Sequence, residues 1–472
     1  MTTLSKNRAI VIGGGLAGCE AAMMIARYGH PVDLYEMKPK RFSPAHKSEQ
    51  LGEIVCSNSF GTLDAVSAPG LLKEEMRSLG SVLLRCAEES KVPAGKALAV
   101  DRERFSEAMT RAVAAEANIR VLREECTQIP DDAIVVVATG PLTADSLAKD
   151  LGQRVGKSTL YFYDSISPIV AANSVDYEKT YYMSRYDSES QDYLNCPMDR
   201  ETYERFVGEI LTAEKVPVHS FEALRCFEAC LPIEVLAERG PDTLAFGPMK
   251  PVGLEDPKTG RRPHAVVQLR RENQPTTLFN LVGFQTRLKW GEQKRIFRMI
   301  PGLENADFVR LGSMHRNTYL DSPALLNTDL SLQVDSRIFV AGQLTGVEGY
   351  VESAAMGQWA GLNVISRLEE KKKLPVPPPE TAIGALIKTV TTRPPHGVFS
   401  PMNINFGLLP PVAEVKGRRK ERKAERRERM VRRALQAALV WRDTIIGQIG
   451  SGDAVTAKKS SKFQKRSVQP GV

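Results

Sequence analysis

No apolar run in this 472-residue chain approaches the roughly 18 residues of a membrane-spanning helix. No secretory leader is visible either, because Met1–Asn7 leads straight into a short apolar strand without a separate hydrophobic region. The seven cysteines (Cys19, Cys56, Cys86, Cys126, Cys196, Cys226, Cys230) are odd in number and scattered, which fits neither a disulfide framework nor metal-ligand spacing. These absences point to a cytoplasmic protein in a reducing compartment, with no membrane and no metal. Internal repeats are also lacking. What remains is ordinary globular material, 42% hydrophobic and 25% charged, long enough for two to three domains.

The formal net charge of +8 has one source. Between Lys416 and Arg433 stand eleven Lys or Arg against three Glu, an excess as large as that of the whole chain. Glu425 to Arg429 and Glu428 to Arg432 offer pairs one helical turn apart, but most of the cations have no such partner. The segment therefore reads as a helix that contacts phosphates.

At the other end, Ala9–Ile12 is a short apolar run with the character of a buried strand, followed by Gly13, Gly15 and Gly18 in G-x-G-x-x-G spacing. A helix is expected to begin there, carrying Gly14, Leu16 and Ala17 at its start. The run 32–36 reads as a second parallel strand ending on Glu36. In such a unit Gly13 permits the tight turn, Gly15 lets backbone amides approach a diphosphate, Gly18 lets helix and strand pack closely, and Glu36 accepts from ribose hydroxyls. The predicted ligand is a dinucleotide. Two further strands end in glycine: 134–137 before Thr139 and Gly140, and 337–340 before Gly342 and Gly346, the latter leading to Glu352 and an alanine-rich helix.

The predicted fold class is α/β: a Rossmann-like dinucleotide-binding domain with a parallel sheet (1–160 and 326–370), interrupted by an inserted α+β domain (161–325). A proline-rich linker, a small helix near 382–391, the basic segment and a separate apolar helix around 434–449 follow (371–449), then a Ser/Lys-rich tail read as disordered (450–472). Cys56 stands where a short apolar stretch meets a polar turn, a place that either presents a thiol or buries it. Cys226 and Cys230 are four apart, with Pro232 suggesting a break nearby. Segments 245–253 and 283–291 mix glycine, cations and aromatics in the manner of a pocket for an anionic, planar ligand.

Eight segments in order carry a more specific likeness. The N-terminal fingerprint is joined by 55–59 (VCSNS), 72–77 (LKEEMR), 93–102 (PAGKALAVDR), 227–235 (FEACLPIEV), 246–254 (FGPMKPVGL), 283–286 (GFQT), 314–318 (MHRNT) and 341–353 (AGQLTGVEGYVES). Together they resemble the folate- and FAD-dependent tRNA (uracil-5-)-methyltransferase family over about residues 8–410, with the basic segment and tail falling outside the likeness. The resemblance implies FAD as the dinucleotide, 5,10-methylenetetrahydrofolate as carbon donor, NAD(P)H as reductant, and as product the ribothymidine at position 54 in the T-arm of tRNA. It also implies Cys56 and Cys230 as the catalytic thiols, with their division of labour open. Arg287, Lys289, His315 and Arg316 are the candidate substrate-binding residues near the base. A ribosomal RNA uridine, the tRNA wobble uridine, and a flavin- or folate-binding RNA chaperone without turnover are the alternative readings.

Overall fold

The computed structural model describes residues 8–156, 160–165, 167–185, 190–216, 231–394, 399–413 and 419–450. The strand Ala9–Ile12 lies at the centre of a five-stranded parallel sheet in the order Ile338–Val340, Ile134–Val137, Ala9–Ile12, Val32–Tyr35, Ile119–Leu122. Its runs of Val and Ile suit a sheet covered by helices. Helix Leu16–Arg27 is buried along nearly its whole length and packs against helix Tyr350–Leu368. The approach is so close that a Cβ at Gly357 would stand 2.2 Å from the carbonyl oxygen of Ala17.

Between these parallel strands the chain makes the excursion expected of an insertion. Residues 169–310 contribute a six-stranded antiparallel sheet, in the order Tyr181–Tyr182, Tyr193–Met198, Ala265–Arg271, Leu278–Leu281, Ile169–Ala171, Phe308–Arg310. Among the described residues its buried apolar core spans 170–306, while the larger core joins residues 9–155 to residues 319–449. Entry and exit of the excursion pair with each other, Leu160–Ser165 running antiparallel to Met314–Tyr319. The α/β architecture with a parallel sheet and a helical C-terminal segment is thus as the sequence predicts.

The C-terminal region departs from the sequence reading in one respect. The basic stretch and the apolar stretch after it form one helix, Arg419–Ile449, because neither Pro nor Gly interrupts the Arg, Lys, Glu, Ala and Leu that fill it up to Gly447. From Met430 onward one face is buried through Val431, Ala434, Trp441 and Ile445. The indole of Trp441 donates to Pro375 O at 2.8 Å and packs on Trp359, so the proline-rich linker is tied to the body. Before Met430, Lys423, Arg426, Arg427 and Arg429 are exposed. Among the described residues no helix is long and apolar enough to cross a membrane.

Candidate functional site

A cleft opens at the carboxyl ends of the parallel strands, where α/β sheets bind ligands. Its floor is the turn Gly13, Gly14, Gly15 and the first helical residues Leu16 and Ala17. Gly13 has φ +108°, and a Cβ there would press 2.6 Å from Ala138 O, so the turn demands glycine. Gly15 differs: its φ is −77°, and a Cβ would meet no protein atom within 4 Å. It faces open cleft. No side chain caps this helix, so its first amides remain available to an anion beside the positive end of the helix dipole.

Glu36 forms one wall, nearly buried, its two carboxylate oxygens accepting from the backbone N–H of Gly14 (3.1 Å) and of Lys38 (3.0 Å). Each oxygen keeps a further lone pair, the requirement for holding a ribose diol. Thr139 and Gly140 line the opposite wall, the Thr139 and Thr143 hydroxyls bonded to each other at 2.6 Å. Gly342 closes the end nearest helix Tyr350–Leu368. Amides for a diphosphate, a fixed carboxylate for a ribose and glycine where backbone must come close together fit a dinucleotide such as FAD.

Three predicted cofactor residues do not line the cleft. Gly18 packs helix on turn and strand, the role its place in the fingerprint predicts, with Gly13 O only 1.8 Å from where its Cβ would be. Gly346 faces the ring of Phe399. Glu352 is buried, accepts from Ile404 N at 3.2 Å, and burial raises its carboxyl above the usual range. Each of the three is packed against protein atoms here. Conversely, the cleft recruits residues the sequence reading left out. Lys38, 3% exposed, pairs with Glu53 at 3.2 Å; Ser43 and His46 share a 2.5 Å hydrogen bond; and Cys126 is held with its thiol pushed up by burial. Lys38, Ser43 and His46 had a signal in the basic, proline-rich composition of residues 37–46, which reads as a loop over the nucleotide; Cys126 had none.

Cys56 lies half-buried beside this cleft. Its backbone N–H donates to the hydroxyl of Tyr350 at 2.8 Å, and both Tyr350 and the neighbouring Val55 line the cleft. Three arginines hold the loop. Arg102 donates to Ile54 O (2.7 Å) and Cys56 O (2.9 Å), Arg310 to Val55 O (2.6 Å), and Arg270 to Ser57 Oγ and Asn58 Oδ1 (both 2.8 Å). Arg270 and Arg310 come from the antiparallel sheet, so the loop is clamped between the two cores.

Cys226 and Cys230 fall outside the described residues, as do the structural details of the segment between Pro217 and Cys230. Pro232 caps the short helix Ile233–Glu238 just beyond it. Arg287 and Lys289 do not line the cleft. The backbone N–H of Arg287 donates to Glu234, whose carboxyl is raised by burial, and Lys289 pairs with Glu214 at 2.5 Å on the surface. His315 and Arg316 sit on strand Met314–Tyr319, in register with Asp164 and Tyr163. Segments 245–253 and 283–291 pack on each other, a Cβ at Gly283 falling 2.7 Å from Pro248.

Sheet order, glycine turn and amide-lined cleft define a dinucleotide-binding α/β protein. Its fold is similar to that of Aquifex aeolicus GidA in two crystal forms: TM-scores are 0.67 and 0.66 at 19% and 18% identity, covering 95% of this chain and 75% and 78% of those chains. The family described as Glucose inhibited division protein A matches residues 8–372. Proteins named Methylenetetrahydrofolate--tRNA-(uracil-5-)-methyltransferase TrmFO are more similar in sequence. That of Geobacter sulfurreducens is 55% identical over 92% of this chain and 99% of its own length. That of Dictyoglomus turgidum is 56% identical over 85% and 91%, and that of Desulforudis audaxviator 52% over 92% and 97%. The chain belongs to this methylenetetrahydrofolate-dependent tRNA (uracil-5-)-methyltransferase family. The 92% share also corrects the sequence reading that ended the likeness near residue 410: it leaves fewer residues outside than the 57 from Lys416 to the C-terminus, so the likeness runs through the basic segment.

Proposed function

We propose that this chain methylates C5 of a T-loop uridine in tRNA, taking carbon from 5,10-methylenetetrahydrofolate and reducing equivalents from NAD(P)H. The observation that carries the reading is the hydrogen bond between Cys56 N–H and Tyr350, which fastens a thiol-bearing loop to the wall of the dinucleotide cleft.

FAD is the group the cleft would hold, its diphosphate on the amides at Gly15, Leu16 and Ala17, a ribose on Glu36, and Thr139, Gly140 and Gly342 alongside. When bound, it supplies the redox chemistry that brings a methylene carbon to the methyl level. The chain's own residues do the rest. Uracil C5 becomes nucleophilic only after a thiolate adds at C6, and a base must then remove the C5 proton before the thiol departs. Cys56 and Cys230 are the two thiols we assign to this work, one adding to C6 and the other serving as acid and base or covalent partner.

Residues 161–325 form an inserted substrate unit in this reading, and its own core supports that division. The target base must leave its stack to reach the thiol, and the exposed cations Lys423, Arg426 and Arg432 would hold RNA phosphates at a distance from it. His315 and Arg316, which stand on the strand that ends the insertion, are assigned to the base side. Incubation with unmodified tRNA, methylenetetrahydrofolate and NADH, followed by mapping of the methylated nucleotide, tests the proposal. A single methyl on the T-loop uridine supports it; methyl transfer only to ribosomal RNA, or none, rejects it.

A further inference from the structure

The loop that carries Cys56 is surrounded by more positive charge than hydrogen bonding to it requires. Of its three arginines, only Arg102 meets a carboxylate among the described residues, that of Glu272 at 2.5 Å. Arg270 is 7% exposed and makes two hydrogen bonds, to Ser57 and Asn58; Arg310 makes one, to Val55 O. A guanidinium carries five N–H donors in a planar fork, so Arg270 keeps three and Arg310 four without an acceptor among the described residues. Neither forms an ion pair there. Arg270 is buried and Arg310 half-buried; a cation that gives up solvent without gaining an anion is costly, and two on one loop call for one.

We propose that Arg270 and Arg310 form a phosphate site beside Cys56, which takes a phosphodiester of the RNA strand whose base is offered to the thiol. The inference rests on the functional reading above and deepens it. Planar forks match phosphate oxygens two at a time, and contacts of this kind fix the register of a nucleic acid without reading its sequence. Burial pulls both guanidiniums below their usual range, Glu272 and Cys56 being among the few groups that oppose it. A bound phosphate would relieve that penalty. An extruded nucleotide brings its phosphates along with its base, so a site next to the thiol both anchors the strand and sets the reach of the base. This differs from the distant cations of the C-terminal helix, which would contact RNA away from the reacting nucleotide.

Arg310→Gln is the direct test, with Arg310→Lys as the conservative partner should the first variant fold poorly. For Arg310→Gln the dissociation constant for unmodified tRNA should rise about tenfold, and its dependence on salt should become shallower by about one phosphate contact. Flavin content and the KM for methylenetetrahydrofolate should stay within twofold. Neutral methylphosphonate linkages flanking the target uridine should weaken binding to the unaltered protein and leave binding to Arg310→Gln unchanged. Equal sensitivity of both proteins to those linkages overturns the site, as does a defect confined to the folate KM, which would mark a folate carboxylate as the occupant. If the unaltered protein methylates no tRNA, the functional reading itself has failed; if it does and Arg310→Gln binds tRNA normally, only the phosphate site has.

Discussion

Cys56 and Tyr350 meet at 2.8 Å, the amide of one donating to the phenolic oxygen of the other across 294 positions of sequence. The Tyr350 ring stands edge-on to Phe60 and lines the dinucleotide cleft. One residue thus touches the ligand wall and the thiol loop at once, and the position of Cys56 becomes a property of the cleft.

Tyr350→Phe keeps the ring and removes the acceptor. The stranded amide should loosen the loop by about 1 to 3 kcal/mol, and kcat for methyl transfer should fall about tenfold or more while flavin content holds. Stopped-flow or steady-state assays on the flavin-loaded variant check this; an unchanged kcat removes Tyr350 from the positioning of Cys56.

The glycines of the turn should separate folding from binding. Gly15→Ala adds a methyl into open cleft and should leave the melting temperature of the apoprotein nearly unchanged while reducing bound flavin at least tenfold. Gly13→Ala meets Ala138 O and should fail to yield folded protein. Flavin absorbance and circular dichroism of the two variants report both effects.

Glu75 links helix Ala68–Ser78 to helix Ala382–Thr391, its carboxylate accepting from Ala382 N (2.7 Å) and Ile383 N (2.9 Å). Burial nonetheless pushes its carboxyl up to about 8, against the pull of the two amides. The folded state therefore holds a proton that the unfolded chain releases near 4.5, and this contribution to stability is lost as pH rises from about 4.5 to 8, on the order of 5 kcal/mol in all. Glu75→Gln does not titrate. The melting temperature of the unaltered protein should fall relative to the variant between pH 5 and 8; a constant difference would show that Glu75 is ionised throughout.

The C-terminal helix cannot be tested by truncation from Lys416, because Trp441 and Ile445 belong to the core. Replacing the exposed Lys423, Arg426 and Arg432 by Gln leaves that face intact. Affinity for tRNA should drop, with a salt slope shallower by up to three contacts, and flavin binding should be unaffected. An identical slope would separate this helix from RNA.

The fingerprint was legible because glycine spacing and strand hydrophobicity are local properties, and Gly13, Gly15 and Glu36 fall where that pattern puts them. What surrounds Cys56 was not, since Arg270 and Arg310 reach its loop from over 200 residues away and nothing in either segment marks them. Gly346 shows the limit of such a pattern: a glycine-rich stretch after a strand looks the same whether glycine makes room for a ligand or for Phe399. The C-terminal helix was divided at its change of composition, although charge and apolarity alternate freely along one helix when no residue breaks it.

The Cys56 thiol is assigned to act on the base, and Cys56→Ala tests that assignment most directly. Purified with its flavin and given unmodified tRNA, methylenetetrahydrofolate and NADH, the variant should bind both flavin and tRNA yet form no methylated uridine above background. Methyl transfer at the unaltered protein's rate would contradict the account.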